Sequence, residues 1–187
     1  TLTPLIIESK NAHMASVFQH LSSDKLTTLH LAIEAMTDSD LADAESCGSW
    51  DSLEFLLLSD MPRLTGKGLT AFRGKKKRKQ RMLDLNVLRC SQFKKVPDLG
   101  SLGRFQGLFC ASIDSSTCWD IATMSEDTLR TLSLRGCNSI NTDCLLPIGS
   151  MGMLSDVDVR ETSLVSRELK TIKERLPRNA RFQPKLY

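Results

Sequence analysis

Between Leu129 and Leu145 the chain reads LRTLSLRGCNSINTDCL, with apolar residues at Leu129, Leu132 and Leu134 and Cys137 three further on. A polar turn then leads to Leu145 and Ile148. Apolar positions two apart, separated by polar ones, predict a short strand, because strand side chains alternate between faces. The later apolar positions at helical spacing predict a return segment that covers one face of that strand. A single strand and return segment cannot bury its own apolar side, so the pattern carries weight only if it recurs.

It recurs along the whole chain. The same frame fits Leu53, Leu56, Leu58 and Met61; Met82, Leu85, Val87 and Cys90; Phe105, Leu108, Cys110 and Ile113; and Leu154, Val157, Val159 and Thr162. Two weaker copies lie upstream, one on Leu26, Leu29 and Leu31 with Ile33 a residue early, the other on Leu2, Leu5 and Ile7 with Lys10 in the last place. The frames start near residues 2, 26, 53, 82, 105, 129 and 154, within the spacing expected of leucine-rich repeats. The expectation is an α/β solenoid, a horseshoe of about seven strand–helix repeats with a parallel concave sheet, over residues 1–176. Residues 177–187 are expected to form an extended tail, and the helix carrying Leu169, Ile172 and Leu176 to close the stack with Lys and Arg outside. Met14, Val17, Phe18 and Leu21 are expected to form the inner stripe of the first helix, and Asp38 and Ser39 to cap the start of the second.

Cys90 and Cys137 hold the last framed position, and Cys137 is followed by Ile140, Thr142 and Asp143. Met61, Ile113 and Thr162 stand there in other frames. This resembles the cysteine-containing subclass of leucine-rich repeats found in the substrate-binding arms of F-box proteins. Residues 53–69, LEFLLLSDMPRLTGKGL, and 136–148, GCNSINTDCLLPI, are also similar to repeats of factor B, subunit s of mitochondrial ATP synthase. The first resemblance implies substrate recognition in a ubiquitin ligase. The second implies a mitochondrial component of a respiratory, ATP synthase or ribosomal assembly.

The chain is 41% hydrophobic but only 5% aromatic, which suits a core of stacked leucines. A formal charge of +3 does not make the whole chain a nucleic-acid binder, since much of it comes from the run Lys75, Lys76, Lys77, Arg78 and Lys79. That run lengthens its unit to a solvated loop. It is a candidate contact to RNA or lipid phosphate, or to an import receptor, offering charge without the aromatic side chains that stack on bases. No stretch is apolar enough for a transmembrane segment. The opening residue, Thr1, leads us to expect a preceding segment, where a transit peptide or an F-box would lie. Six cysteines without any C-x-x-C, two of them at framed positions, read as small buried hydrophobes in a reducing intracellular compartment, either the mitochondrial matrix or the nucleus and cytosol.

The three histidines crowd the first sixth of the chain, so no zinc set is expected. Asp156 and Asp158 share a strand face without a histidine, and GKGLT at 66–70 lacks phosphate-loop spacing. No cofactor, small-molecule substrate or catalysis is expected. The residues between the framed leucines should face the concavity: Phe55, Leu57, Leu88 and Phe109 as an apolar patch on strands about 5 Å apart, then Arg135, Asp156, Asp158 and Arg160 as a charged group. Exposed apolar patches of this kind mark protein contacts, so the expected partner is a protein in a larger complex.

Overall fold

Equivalent leucines of successive units lie side by side in the structure, a computed structural model describing residues 5–10, 25–47, 50–73, 83–99 and 102–184. Among these residues eight strands follow one another in a single sheet: β1 (Leu5–Ser9), β2 (Thr28–Ile33), β3 (Phe55–Ser59), β4 (Leu83–Leu88), β5 (Leu102–Leu108), β6 (Thr131–Ser133), β7 (Asp156–Asp158) and β8 (Arg181–Gln183). Every neighbouring pair is parallel. One rung runs Leu5, Leu29, Leu56, Leu85, Phe105, Leu132, Val157 and Phe182. Its six middle members are buried, each contributing roughly 1.5–3 kcal/mol of transfer free energy. The fold is therefore a leucine-rich-repeat-like α/β solenoid.

The return segments pack on the apolar side of the sheet. They include α1 (Asp38–Ala42), α2 (Ser115–Ser125), α3 (Leu145–Ser150) and α4 (Ser166–Arg175), with short 3-10 segments at Asp43–Cys47, Lys67–Phe72 and Thr142–Cys144. Consecutive segments touch, α2 against α3 and α3 against α4. Trp50 is buried edge-on against Phe72 of the next unit, with its indole N–H donated to the Ala44 carbonyl. The return from β4 to β5 contains no helix among its described residues; Phe93, Val96 and Leu99 fill its interior from an irregular path. In α4, Leu169 and Ile172 face inward, as their spacing predicts. The chain then continues past the expected cap, and the tail supplies β8 as an eighth strand beside β7.

Two expectations change. The frame set on Phe105 slips by three residues: Phe105 pairs in register with Leu85 and Leu132, so the inward positions are Leu102, Phe105, Gly107 and Cys110. Gly107 sits where other strands carry Leu or Val, and a Cβ there would lie 2.3 Å from Ile113 Cδ1. The large Phe105 and the missing side chain at 107 compensate in volume, which removed the apolar signal that would have fixed the frame. Asp38, expected to cap its own helix, instead accepts from Thr65 N–H (3.1 Å), Gly66 N–H (3.0 Å) and Gly68 N–H (2.9 Å) and from the Thr65 hydroxyl, all in the next unit. Thr37 and Asp40 cap α1.

Each strand from β3 to β7 is followed by a left-handed corner: Asp60 (φ 56), Arg89 (φ 52), Phe109 (φ 55), Gly136 (φ 72) and Glu161 (φ 59). For a residue with a side chain this conformation costs about 1–2 kcal/mol. The backbone bonds that hold it run to the following unit: Asp60 N–H to Leu88 O (2.9 Å), Arg89 N–H to Leu108 O (2.9 Å), Phe109 N–H to Arg135 O (2.8 Å) and Gly136 N–H to Arg160 O (3.0 Å).

Directly after three of these corners, in three consecutive units, come Cys90, Cys110 and Cys137, all fully buried. Their thiols donate back to backbone carbonyls of the preceding strand or corner, at 3.8 Å to Leu58 O, 3.5 Å to Val87 O and 3.2 Å to Gly107 O. Burial pushes the Cys90 and Cys110 thiols up to about 12 and Cys137 to about 11. They are protonated, unreactive fillers, and Cys118 and Cys144 are likewise free and buried.

Candidate functional site

Alternation turns the residues between the inward rungs toward the concave side, and at the amino-terminal end of the sheet these include large apolar groups. Leu57 on β3 and Leu88 on β4 line a concavity of about 940 Å³ together with Glu8, His30, Ser59, Asp60 and Arg89. Leu88 stands in register with Leu108 on β5, which is half-buried on the same side. Ile6 on β1, in register with His30, is 56% exposed. The floor thus carries apolar side chains where a sheet facing only water would carry polar ones.

The expected apolar patch is only partly assembled. Leu57 and Leu88 share the concavity. Phe55 lies at the start of its strand, in register with Thr28 and Asp84 and away from the groove lining. Phe109 is not a strand residue: the frame shift places it at a left-handed corner, 44% exposed, with the Arg135 guanidinium 5.7 Å from its ring centroid. A Cβ on Gly136 would strike that ring at 2.3 Å, so the aromatic lies directly over the glycine. Leu108, assigned to the core by the slipped frame, is the concave residue that the sequence reading missed. Its signal was present in the Phe105–Gly107–Cys110 alternative.

The charged group is brought together, but each member is already held by a neighbouring side chain. Asp158, nearly buried, accepts from Arg160 Nε (2.9 Å), Nη2 (2.7 Å) and backbone N–H (3.0 Å). Burial alone would raise its carboxyl, and these donors together with the nearby Arg135 charge outweigh it, leaving it below the usual carboxylate range. Arg135 binds Glu161 at 2.5 Å, and Asp156 accepts from the Gln183 amide at 3.1 Å. The basic run Lys75, Lys76, Lys77, Arg78 and Lys79 lies outside the described residues, as do Met82 and the apolar stripe expected at Met14, Val17, Phe18 and Leu21.

Within the concavity, His30 Nε2 and Ser59 Oγ are 2.9 Å apart, and Arg89 grips Asp60 with two bonds of 2.6 Å. A hydroxyl beside an imidazole is part of a nucleophilic site. Acyl transfer also needs free N–H groups aimed at one point. Here Ser59 is 5% exposed at the end of an interior strand, and the adjoining Asp60 amide is committed to Leu88 O. The contact serves as a hydrogen bond across the floor. Among the described residues no group of three or more His, Cys, Asp or Glu is placed to hold a metal ion, and no helix is long and apolar enough to cross a membrane.

No protein-family model and no curated protein matches the chain significantly. Among solved structures, a chain in the crystal structure of the Rad7 and Elc1 complex in yeast matches with a TM-score of 0.64 at 17% sequence identity. The match covers 93% of this chain and 46% of that one, so the protein spans less than half the length of the structure it resembles. At that identity the likeness establishes a shared fold, the parallel repeat solenoid derived above.

Proposed function

We propose that the protein is a non-catalytic interaction scaffold that holds a protein partner on its concave face, as a subunit or adaptor of a larger complex. The observation that carries this reading is the apolar floor: Leu57, Leu88 and Leu108 face solvent across three adjacent strands, beside an exposed Ile6. Apolar anchors within a polar rim are the common form of an interface centre. The similar structure is itself part of a complex between two proteins.

Within this reading an F-box-type adaptor is favoured over a factor B-like mitochondrial component. The specific support is the third cysteine: with the frame corrected, Cys90, Cys110 and Cys137 occupy the same position in three successive units, strengthening the likeness to the cysteine-containing repeats. Five free buried thiols suit a reducing compartment. In the factor B-like alternative, the run from Lys75 to Lys79 would meet RNA or lipid phosphate, and neutralising it would lower salt-sensitive binding.

The test is co-purification from native cells with wild-type protein, with a Leu57→Asp/Leu88→Asp variant and with Trp119→Asp. Trp119 is 51% exposed on α2, away from the sheet. The concave variant should lose the partners retained by the other two proteins, with all three keeping the same circular dichroism. Partners that stay with the concave variant and leave with Trp119→Asp would transfer the interface to the convex side.

A further inference from the structure

The concavity has a charge as well as an apolar floor. Among the described residues, Glu8, Glu34 and Asp60 line it against Lys10 and Arg89. Asp60 and Arg89 cancel each other through two bonds of 2.6 Å. Glu8 and Glu34 are both exposed, so this half of the face keeps a carboxylate excess beside Leu57, Leu88 and Leu108.

We infer that this half of the concave face takes a basic segment of a protein partner, seating an apolar side chain on Leu57, Leu88 and Leu108 while lysine or arginine meets Glu8 and Glu34. The inference rests on the reading of the concave face as a protein-binding surface and narrows it to one chemistry. Charge complementarity selects a basic segment over an acidic one.

The experiment uses the full chain and three fluorescein-labelled synthetic peptides of equal length, each interrupted by proline so that it stays extended. One alternates Lys with Leu, one Glu with Leu and one Lys with Ser, and binding is read by anisotropy at low and high salt. The Lys–Leu peptide should bind about tenfold more tightly than either control. It should lose that advantage with Glu8→Gln/Glu34→Gln, whose substituted positions are exposed, and separately with Leu88→Ser. A Glu–Leu peptide that binds as well or better overturns the basic class and leaves the concave-face reading standing. Lys–Leu binding indifferent to both variants places that peptide elsewhere and overturns the inference, as does the absence of any preference among the three. The co-purification above decides the broader reading independently: a partner lost with the concave variant, with no basic-peptide preference, separates the two failures.

Discussion

On β1 to β4 the central concave row reads Ile6, His30, Leu57 and Asn86; on β5 to β8 the same row continues as Gln106, Ser133, Asp158 and Gln183. The inward rungs behind both halves are alike, so both are built by the same burial. In the carboxyl-terminal half Asp158 is held by Arg160, Arg135 by Glu161 and Asp156 by Gln183. In the amino-terminal half Leu57, Leu88, Glu8 and Glu34 are left facing the concavity. Charge on a concave face is therefore a poor guide to a contact when its neighbours already satisfy it; apolar surface and unpaired carboxylates are the better guide.

The largest expected effect tests whether the core is as uniform as the comparison assumes. Leu56→Ala and Leu132→Ala remove equivalent rungs from the two halves, and each should cost about 2–5 kcal/mol by urea unfolding. Losses that differ several-fold would break the comparison, because the halves would then differ on their inner side as well.

Next comes Asp158→Asn, expected to cost about 2 kcal/mol near pH 7 through its charge-assisted bonds to Arg160 and to leave partner capture intact. The folded carboxyl titrates below its unfolded value of about 3.9, so the pair stabilises fully above that value and loses its contribution as pH falls through the lower folded value. The gap between wild type and variant should thus close in acid. A gap that persists at low pH would assign the loss to packing, and lost capture at neutral pH would make Asp158 part of the interface.

Smaller still is Glu161→Gln, which frees Arg135 on the exposed rim and should cost about 0.2–1 kcal/mol, less at high salt. A larger cost would mean that the pair also holds Phe109 in place. Finally, Cys90, Cys110 and Cys137 should resist iodoacetamide in the native protein at mildly alkaline pH and react only on unfolding. Native labelling followed by mass spectrometry checks this in both halves.

Period and alternation made most of the sheet legible: Leu56, Leu58, Leu85, Val87, Leu132 and Val157 are inward as their spacing requires. The frame failed at β5, where volume is traded between positions: Ile113 and, next to it, the Phe105 ring fill the room that Gly107 leaves, and a pattern of hydrophobic letters cannot express that exchange. Placing Phe109 and Leu108 correctly depended on that frame. Asp38 looked like a local cap because short polar side chains usually are; its acceptor role for Thr65, Gly66 and Gly68 depends on stacking that has no local signature. The left-handed corners were equally silent. Four of the five carry side chains, and tertiary bonds impose the conformation where glycine would have announced it.

Those corners also give the array a direction. From Asp60 to Gly136 each bend is pinned by an amide reaching forward to a carbonyl of the succeeding rung, so no unit locks itself and each depends on the one that follows it in sequence. Loosening that begins at β8 would free one bend after another toward the amino terminus, while the reverse order leaves every remaining bend tied. The groove near β1 to β4 is thus guarded by the far end of the chain, and a lesion beside β8 can weaken it without touching a single groove residue.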